Sequence, residues 1–346
     1  MKKKIGALLF VVLMMITMTA RVSAEEGSTG SADISVTKQL VIAEGTEVPD
    51  ATFSFQVTKK TADAPDATIQ DISFTSTDEK GELSDRVYRI FKDSPVQFGT
   101  FPHAGVYEYE VKENNTNVEG VTYSANTYAL HVNVVNTDEG NLKISSIVVK
   151  KDGEKQDKML FINKYVKRGN QLVISKKTEG TLADRTKTFQ FKLMLMQPPT
   201  ETADQAVYEA TVEDEGGVTG TVNFTSGVEA TFTLRHGQKL TFTDLPAGTR
   251  YIVTEVGVED RYVPSVLVTE NGTARPVQNG GDAIDLSVNS ALVGQNGENS
   301  AVFTNTYQET PVTGLFTDNL PFLLMSGLAG CAFVGLGVMK RRNAHN

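Results

Sequence analysis

The 346-residue chain has a single cysteine, no tryptophan and four histidines. One thiol cannot form an intramolecular disulfide. Cys331 also lies in an apolar stretch near the C-terminus, apart from the polar body of the chain. Cysteine nucleophiles, thiolate metal sites and internal Cys–Gln thioesters are therefore excluded from that body. His103, His131, His236 and His345 are dispersed, with no H-E-x-x-H and no G-x-S-x-G, so a secreted hydrolase has no motif to rest on. No spacing suggests a metal or a cofactor. Helical periodicity is scarce as well. Only Thr200 to Val207 suggests a short helix, and the rest reads as an all-β chain rich in Val, Thr, Phe and Tyr.

The two ends carry patterns of their own. Lys2, Lys3 and Lys4 precede an apolar run from Ile5 to about Ala20, and Val22-Ser23-Ala24 offers small residues for cleavage. Residues 1–24 read as a secretory signal, with Glu25 the expected mature N-terminus. At the other end come Thr310-Pro311-Val312-Thr313-Gly314, an apolar stretch from Leu320 to Met339, and then Lys340, Arg341 and Arg342. That stretch is long enough to cross a bilayer, and the basic residues suit its cytoplasmic side. Residues 309–346 thus resemble the cell-wall sorting signal of Gram-positive surface proteins, whose usual pattern is L-P-x-T-G. Thr310 replaces the Leu, which points to a dedicated pilus-type sortase. Between Glu25 and Thr313 the chain keeps 26 of its 33 basic and 41 of its 42 acidic residues, a net charge of −15. Such a surface repels phosphate backbones, which argues against nucleic-acid partners and favours solubility.

The body of the sequence repeats. Phe161-Ile162-Asn163-Lys164-Tyr165 and Phe303-Thr304-Asn305-Thr306-Tyr307 share the word F-x-N-x-Y. Fifty residues before each Asn stands the Glu of a Y-x-V-x-E strand, Glu113 or Glu255. Further upstream Lys38 and Lys176 end matching [VI]-[TS]-K words, 75 and 79 residues before the Glu. Lys177 neighbours Lys176, and strand alternation alone leaves both open. Thr52 to Val57 aligns with Thr188 to Leu193, and Phe98 to Pro102 with Phe242 to Pro246. A repeat of this length means two copies of one domain, here 25–167 and 168–308, joined near Lys164 to Gln171 by a short, stiff connection. Tyr128, Leu130, Val132 and Val134 alternate onto one face, as do Phe53, Phe55, Val57 and Phe189, Phe191, Leu193. Strands of this kind between Gly, Asp and Asn turns predict two antiparallel sandwiches in an elongated rod. The Asn114 and Asn271 sequons read as turns.

A Lys, a Glu and an Asn recurring together suggest a covalent Lys–Asn amide, formed with loss of ammonia. Water prevents this, because the amine is protonated and the carboxamide is a poor electrophile. Burial lowers a Lys pKa and raises a Glu pKa, each by up to roughly 3–5 units. The Lys then becomes a neutral nucleophile, and the acid can hydrogen-bond the Asn carbonyl. Packing holds the partners together, and Phe161 and Phe303 are expected to keep water away. With Lys on the first strand and Asn on the last, each bond ties the two ends of its domain. In the chain-entropy model a closure of this length is worth on the order of 4–5 kcal/mol.

From signal to basic tail the chain resembles the T-antigen-type major (backbone) pilins of streptococci and related Gram-positive bacteria. The resemblance implies two tandem immunoglobulin-like domains of the CnaB type. It assigns Lys38, Glu113 and Asn163 to one isopeptide site and Lys176, Glu255 and Asn305 to the other, with the Glu catalytic. It also implies polymerisation. A sortase would cut after Thr313, and an exposed lysine of another subunit would take up the acyl group. Lys155 in Gly153-Glu154-Lys155 fits the pattern best, with Lys158 the alternative. Identical subunits, the sortase, minor pilins and peptidoglycan are the implied partners, at the cell wall in a surface pilus. A wall-anchored monomeric adhesin on the same scaffold is the competing expectation.

Overall fold

Alternation of apolar and polar residues governs the whole of the computed structural model, which describes residues 33–258, 261–281 and 285–309. The signal, the Thr310 to Gly314 motif and the apolar span lie outside these residues. Among the described residues every regular element is a β-strand. Thr200 to Val207 is not helical. Pro198 and Pro199 precede it, and Gln197 bridges it, accepting from Ala206 N at 3.0 Å and donating to Ala203 O at 2.6 Å. Those backbone groups are thereby satisfied without a helix.

Two sheets face one another over residues 33–166. One has the strand order Ala67–Ile69, Val87–Phe98, Ser35–Ala43, Met159–Tyr165, Val121–Thr122. The other runs Glu154–Gln156, Leu142–Lys151, Thr127–Asn136, Gly105–Glu113, Phe55–Lys59. Tyr128, Leu130, Val132 and Val134 all face the core between them, with Phe53, Phe161, Tyr107 and Tyr109. Residues 170–307 repeat the plan. Asn170–Glu179 lies between Lys239–Leu245 and Ser300–Tyr307 in one sheet, and Thr188–Met196 and Arg250–Val256 pair in the other. Their separate core holds Phe189, Phe191, Phe242 and Phe303.

The decisive pairing is the same in both halves. The first strand runs parallel to the last, with Lys38 opposite Phe161 and Leu40 opposite Asn163. In the second half Lys176 lies opposite Phe303 and Thr178 opposite Asn305. Parallel neighbours cannot be joined by a tight turn, so here the whole domain is the connection. Only residues 166–169 separate the last strand of one half from the first strand of the next.

Polar contacts close the junction. Glu44 receives Arg86 Nε at 2.9 Å from its own half and Arg250 Nε and Nη2 at 2.8 and 2.6 Å from the other. Arg86 Nη2 also donates to Gly248 O at 2.7 Å. Gly248 has φ +86°, and a Cβ there would fall 2.5 Å from the Ala43 Cβ, so the approach requires glycine.

Candidate functional site

Alternation sends Lys38 and Asn163 from adjacent strands into the first core, and Glu113 meets them from the facing sheet. All three side chains are buried. Glu113 Oε1 contacts Lys38 Nζ and accepts from Asn163 Nδ2 at 3.0 Å. In the second core Glu255 Oε1 lies 2.7 Å from Lys176 Nζ and 2.8 Å from Asn305 Nδ2. Lys177 takes the other face of its strand, exposed and 2.5 Å from Glu179. Each carboxylate thus joins the amine to the amide with a single oxygen.

The two lysines match between the halves. Burial pulls the Lys38 and Lys176 amines down to about 8, against the opposing pull of their glutamates. Burial also pushes the Glu255 carboxyl up, while Lys176 and Asn305 partly offset it. Each ammonium lies 4.3 Å from an aromatic centroid, Phe53 in the first site and Phe189 in the second. These rings, beneath the amine, came from the aligned Thr52 and Thr188 words, whose connection with the lysines the sequence did not show. Phe161 and Phe303 lie opposite the two lysines in the strand register and pack on Phe55 and Phe191 at 5.2 Å.

One contact had no counterpart among the sequence expectations. Ser124 N donates to Asn163 Oδ1 at 2.9 Å and to Glu113 Oε2 at 3.1 Å. The expected hydrogen bond from a glutamic acid to the Asn carbonyl is absent from both sites, where the glutamate oxygen accepts from the amide nitrogen instead. In the first site a backbone N–H faces the carboxamide oxygen. A backbone donor leaves no residue signature, so nothing in the sequence could have revealed it.

Lys155 is exposed on Glu154–Gln156, an edge strand after the Asp152-Gly153 turn, whose two residues have φ 52° and 85°. Lys158 is exposed just before the last strand. Neither contacts the buried clusters.

Residues 34–166 match the family described as the Spy0128-like isopeptide containing domain (FctA), and residues 170–307 match a domain of unknown function (DUF7601). A pilin of Streptococcus pyogenes serotype M1 is 26% identical over 344 residues, covering 90% of this chain and 92% of that protein. The pilus tip adhesin Cpa of Streptococcus pyogenes is 33% identical over 149 residues, 43% of this chain and 18% of that protein. A crystal structure of the major pilin from Streptococcus pyogenes covers 80% of this chain and 99% of its own, at 24% identity and a TM-score of 0.38.

Proposed function

This chain resembles the T-antigen-type backbone pilins, and on that premise we propose that it is the structural shaft subunit of a surface pilus, stabilised by one Lys–Asn isopeptide bond in each domain. The observation that carries the reading is the buried Lys–Glu–Asn cluster, found twice with the same connectivity through one glutamate oxygen. The neutral amine of Lys38 or Lys176 attacks Cγ of Asn163 or Asn305. The glutamate takes the amine proton and passes it to the departing nitrogen, which leaves as ammonia. Each cluster acts once, on its own domain, so the chain is not a turnover enzyme. Subunits are joined separately. A sortase cleaves after Thr313, and Lys155 of the next subunit, with Lys158 the alternative, accepts the acyl group. Minor pilins and peptidoglycan complete the assembly at the cell wall.

Intact mass tests the crosslinks. The mature protein should weigh two ammonia molecules less than its sequence, and Glu113→Ala or Glu255→Ala should each restore one. A mass equal to the sequence value rejects both bonds. Polymerisation has its own test in cells expressing the partner sortase. A ladder that survives boiling in detergent, and is lost in Lys155→Ala or Lys158→Ala, supports the shaft reading. Its absence from the parent protein would leave the monomeric adhesin.

A further inference from the structure

The two clusters share the features of the amine that bear most on attack, which makes the difference at their carboxamide oxygens informative. Both amines are buried, both titrate at about 8, and both lie 4.3 Å from a phenylalanine centroid. Both glutamates hold amine and amide on one oxygen. The carboxamide oxygens differ. Asn163 Oδ1 accepts the Ser124 N–H, whereas Asn305 Oδ1 and Glu255 Oε2 are buried and accept no hydrogen bond among the described residues, and Lys176 Nζ meets Glu255 as an ion pair without hydrogen-bond geometry.

The cause lies in the strand beside the last strand. In the second domain Tyr262–Glu270 pairs with Ser300–Tyr307 along its length, from Tyr262 opposite Tyr307 to Thr269 opposite Ser300. Pro264 lies opposite Asn305 and has no N–H. In the first domain the neighbour is Val121–Thr122, which pairs only with Lys164 and Tyr165. The chain then leaves the ladder. Leu160 is served instead by Tyr128 Oη and Asn126 Nδ2, at 2.8–3.0 Å. Out of the ladder, the Ser124 N–H is free to turn inward onto the amide of Asn163.

We propose that the Ser124 N–H is the oxyanion donor of the first crosslinking reaction, and that the second reaction proceeds without such a donor and is slower. This rests on the isopeptide reading above. The Lys38 Nζ lone pair forms the new C–N bond at Asn163 Cγ, and the C=O π pair moves onto Oδ1. There the developing negative charge meets a donor already in place, in a site from which water is excluded. Glu113 moves the proton from Nζ to Nδ2, the Cγ–Nδ2 bond breaks, the carbonyl re-forms and ammonia departs. At Asn305 the same charge develops on an oxygen with no donor among the described residues, so the barrier is higher. A donor of this kind typically contributes about 10²–10³ in rate.

The test separates chemistry from folding. The mature chain is made directly into denaturant and folded at about pH 5, where both amines are protonated. It is then jumped to about pH 8.5, and timed samples are quenched, digested and analysed by mass spectrometry for each crosslinked peptide. The Lys38–Asn163 peptide should form at least about tenfold faster than the Lys176–Asn305 peptide. Equal rates, or a faster second bond, overturn the proposal without any variant. A backbone ester in place of the Ser124 amide deletes only the N–H. It should slow the first bond about 10²-fold and leave the second unchanged, whereas Ser124→Ala, which keeps the N–H, should match the parent. An ester with no effect on the first bond overturns the assignment. Failure of both bonds to form at any time rejects the isopeptide reading itself, a result distinct from equal rates.

Discussion

Desolvated lysines set the chemistry at the residue scale. At pH 7 a lysine with an ordinary pKa is neutral in roughly one molecule in 3,000, but one that titrates near 8 is neutral in roughly one in ten. Burial alone thus enriches the nucleophile at Lys38 and Lys176 by a few hundredfold. The sign of the pH dependence follows, because protonation removes the lone pair. Ammonia loss from the folded, unreacted chain should rise about tenfold per pH unit up to pH 8 and then level off, as timed intact mass would show. A rate unchanged between pH 6 and 8 would reject attack by the neutral amine. A third Lys–Glu–Asn trio provides an internal contrast. Lys80 Nζ and Asn296 Nδ2 meet Glu47 at 3.0 and 2.6 Å, but Lys80 and Glu47 are partly exposed, so water reaches the trio and the desolvation that the buried sites rely on is missing. The six core residues could be read in the sequence because spacing and neighbouring words recurred together. The Ser124 donor could not, since it belongs to the backbone and depends on where a strand stops.

At the scale of elements, alternation made most strands legible, including the core face of Thr127–Asn136. It could not reveal the difference between the halves beside the last strand. Val121–Thr122 and Tyr262–Glu270 have unrelated lengths, and which of them continues its ladder is decided by tertiary contacts. Thr200 to Val207 failed for a related reason, because Gln197 supplies the loop with hydrogen bonds from outside the segment. Where the ladder is missing, Tyr128 Oη accepts from Leu160 N at 3.0 Å and donates to Leu160 O at 2.8 Å. Tyr128→Phe leaves that N–H without its acceptor. In an Asn163→Ala background, where no crosslink masks the effect, it should cost the first domain about 1–3 kcal/mol, read from the urea midpoint. An unchanged midpoint would mean that water replaces the hydroxyl at no cost.

Over the whole molecule, Glu44 is the most heavily bonded of the residues through which the halves hold one another, beside Glu47 with Gln295 and Asn296. Burial alone would push its carboxyl up, but Arg250 and Arg86 together bring it below the usual carboxylate range. Its contribution is therefore fully present above a pH of about 4.5 and is lost only as pH falls through the lower folded value. Glu44→Ala should weaken the junction by roughly 2–3 kcal/mol while leaving the two-ammonia mass deficit intact. The measurement is native trypsin cleavage after Lys167 or Arg168, both exposed and lying between the domains. Cleavage should accelerate in the variant, and an unchanged rate would show that the linker is guarded by its own contacts, Arg168 with Glu201 and Lys167 O with Ala247 N. The linker matters for a reason of connectivity. With both amides formed, the backbone becomes two closed rings in series, one spanning 38–163 and the other 176–305. A single cut anywhere inside a ring opens it but releases no fragment, because the molecule remains connected by the other way round. Between the rings there is one path only, and its sole stretch outside the strands is residues 166–169. Between the two rings a protease has four residues outside the strands at which one cut would part them, and each is tied down: Val166 N to Gly120 O, Lys167 O to Ala247 N, Arg168 to Glu201 and Gly169 N to Asp244.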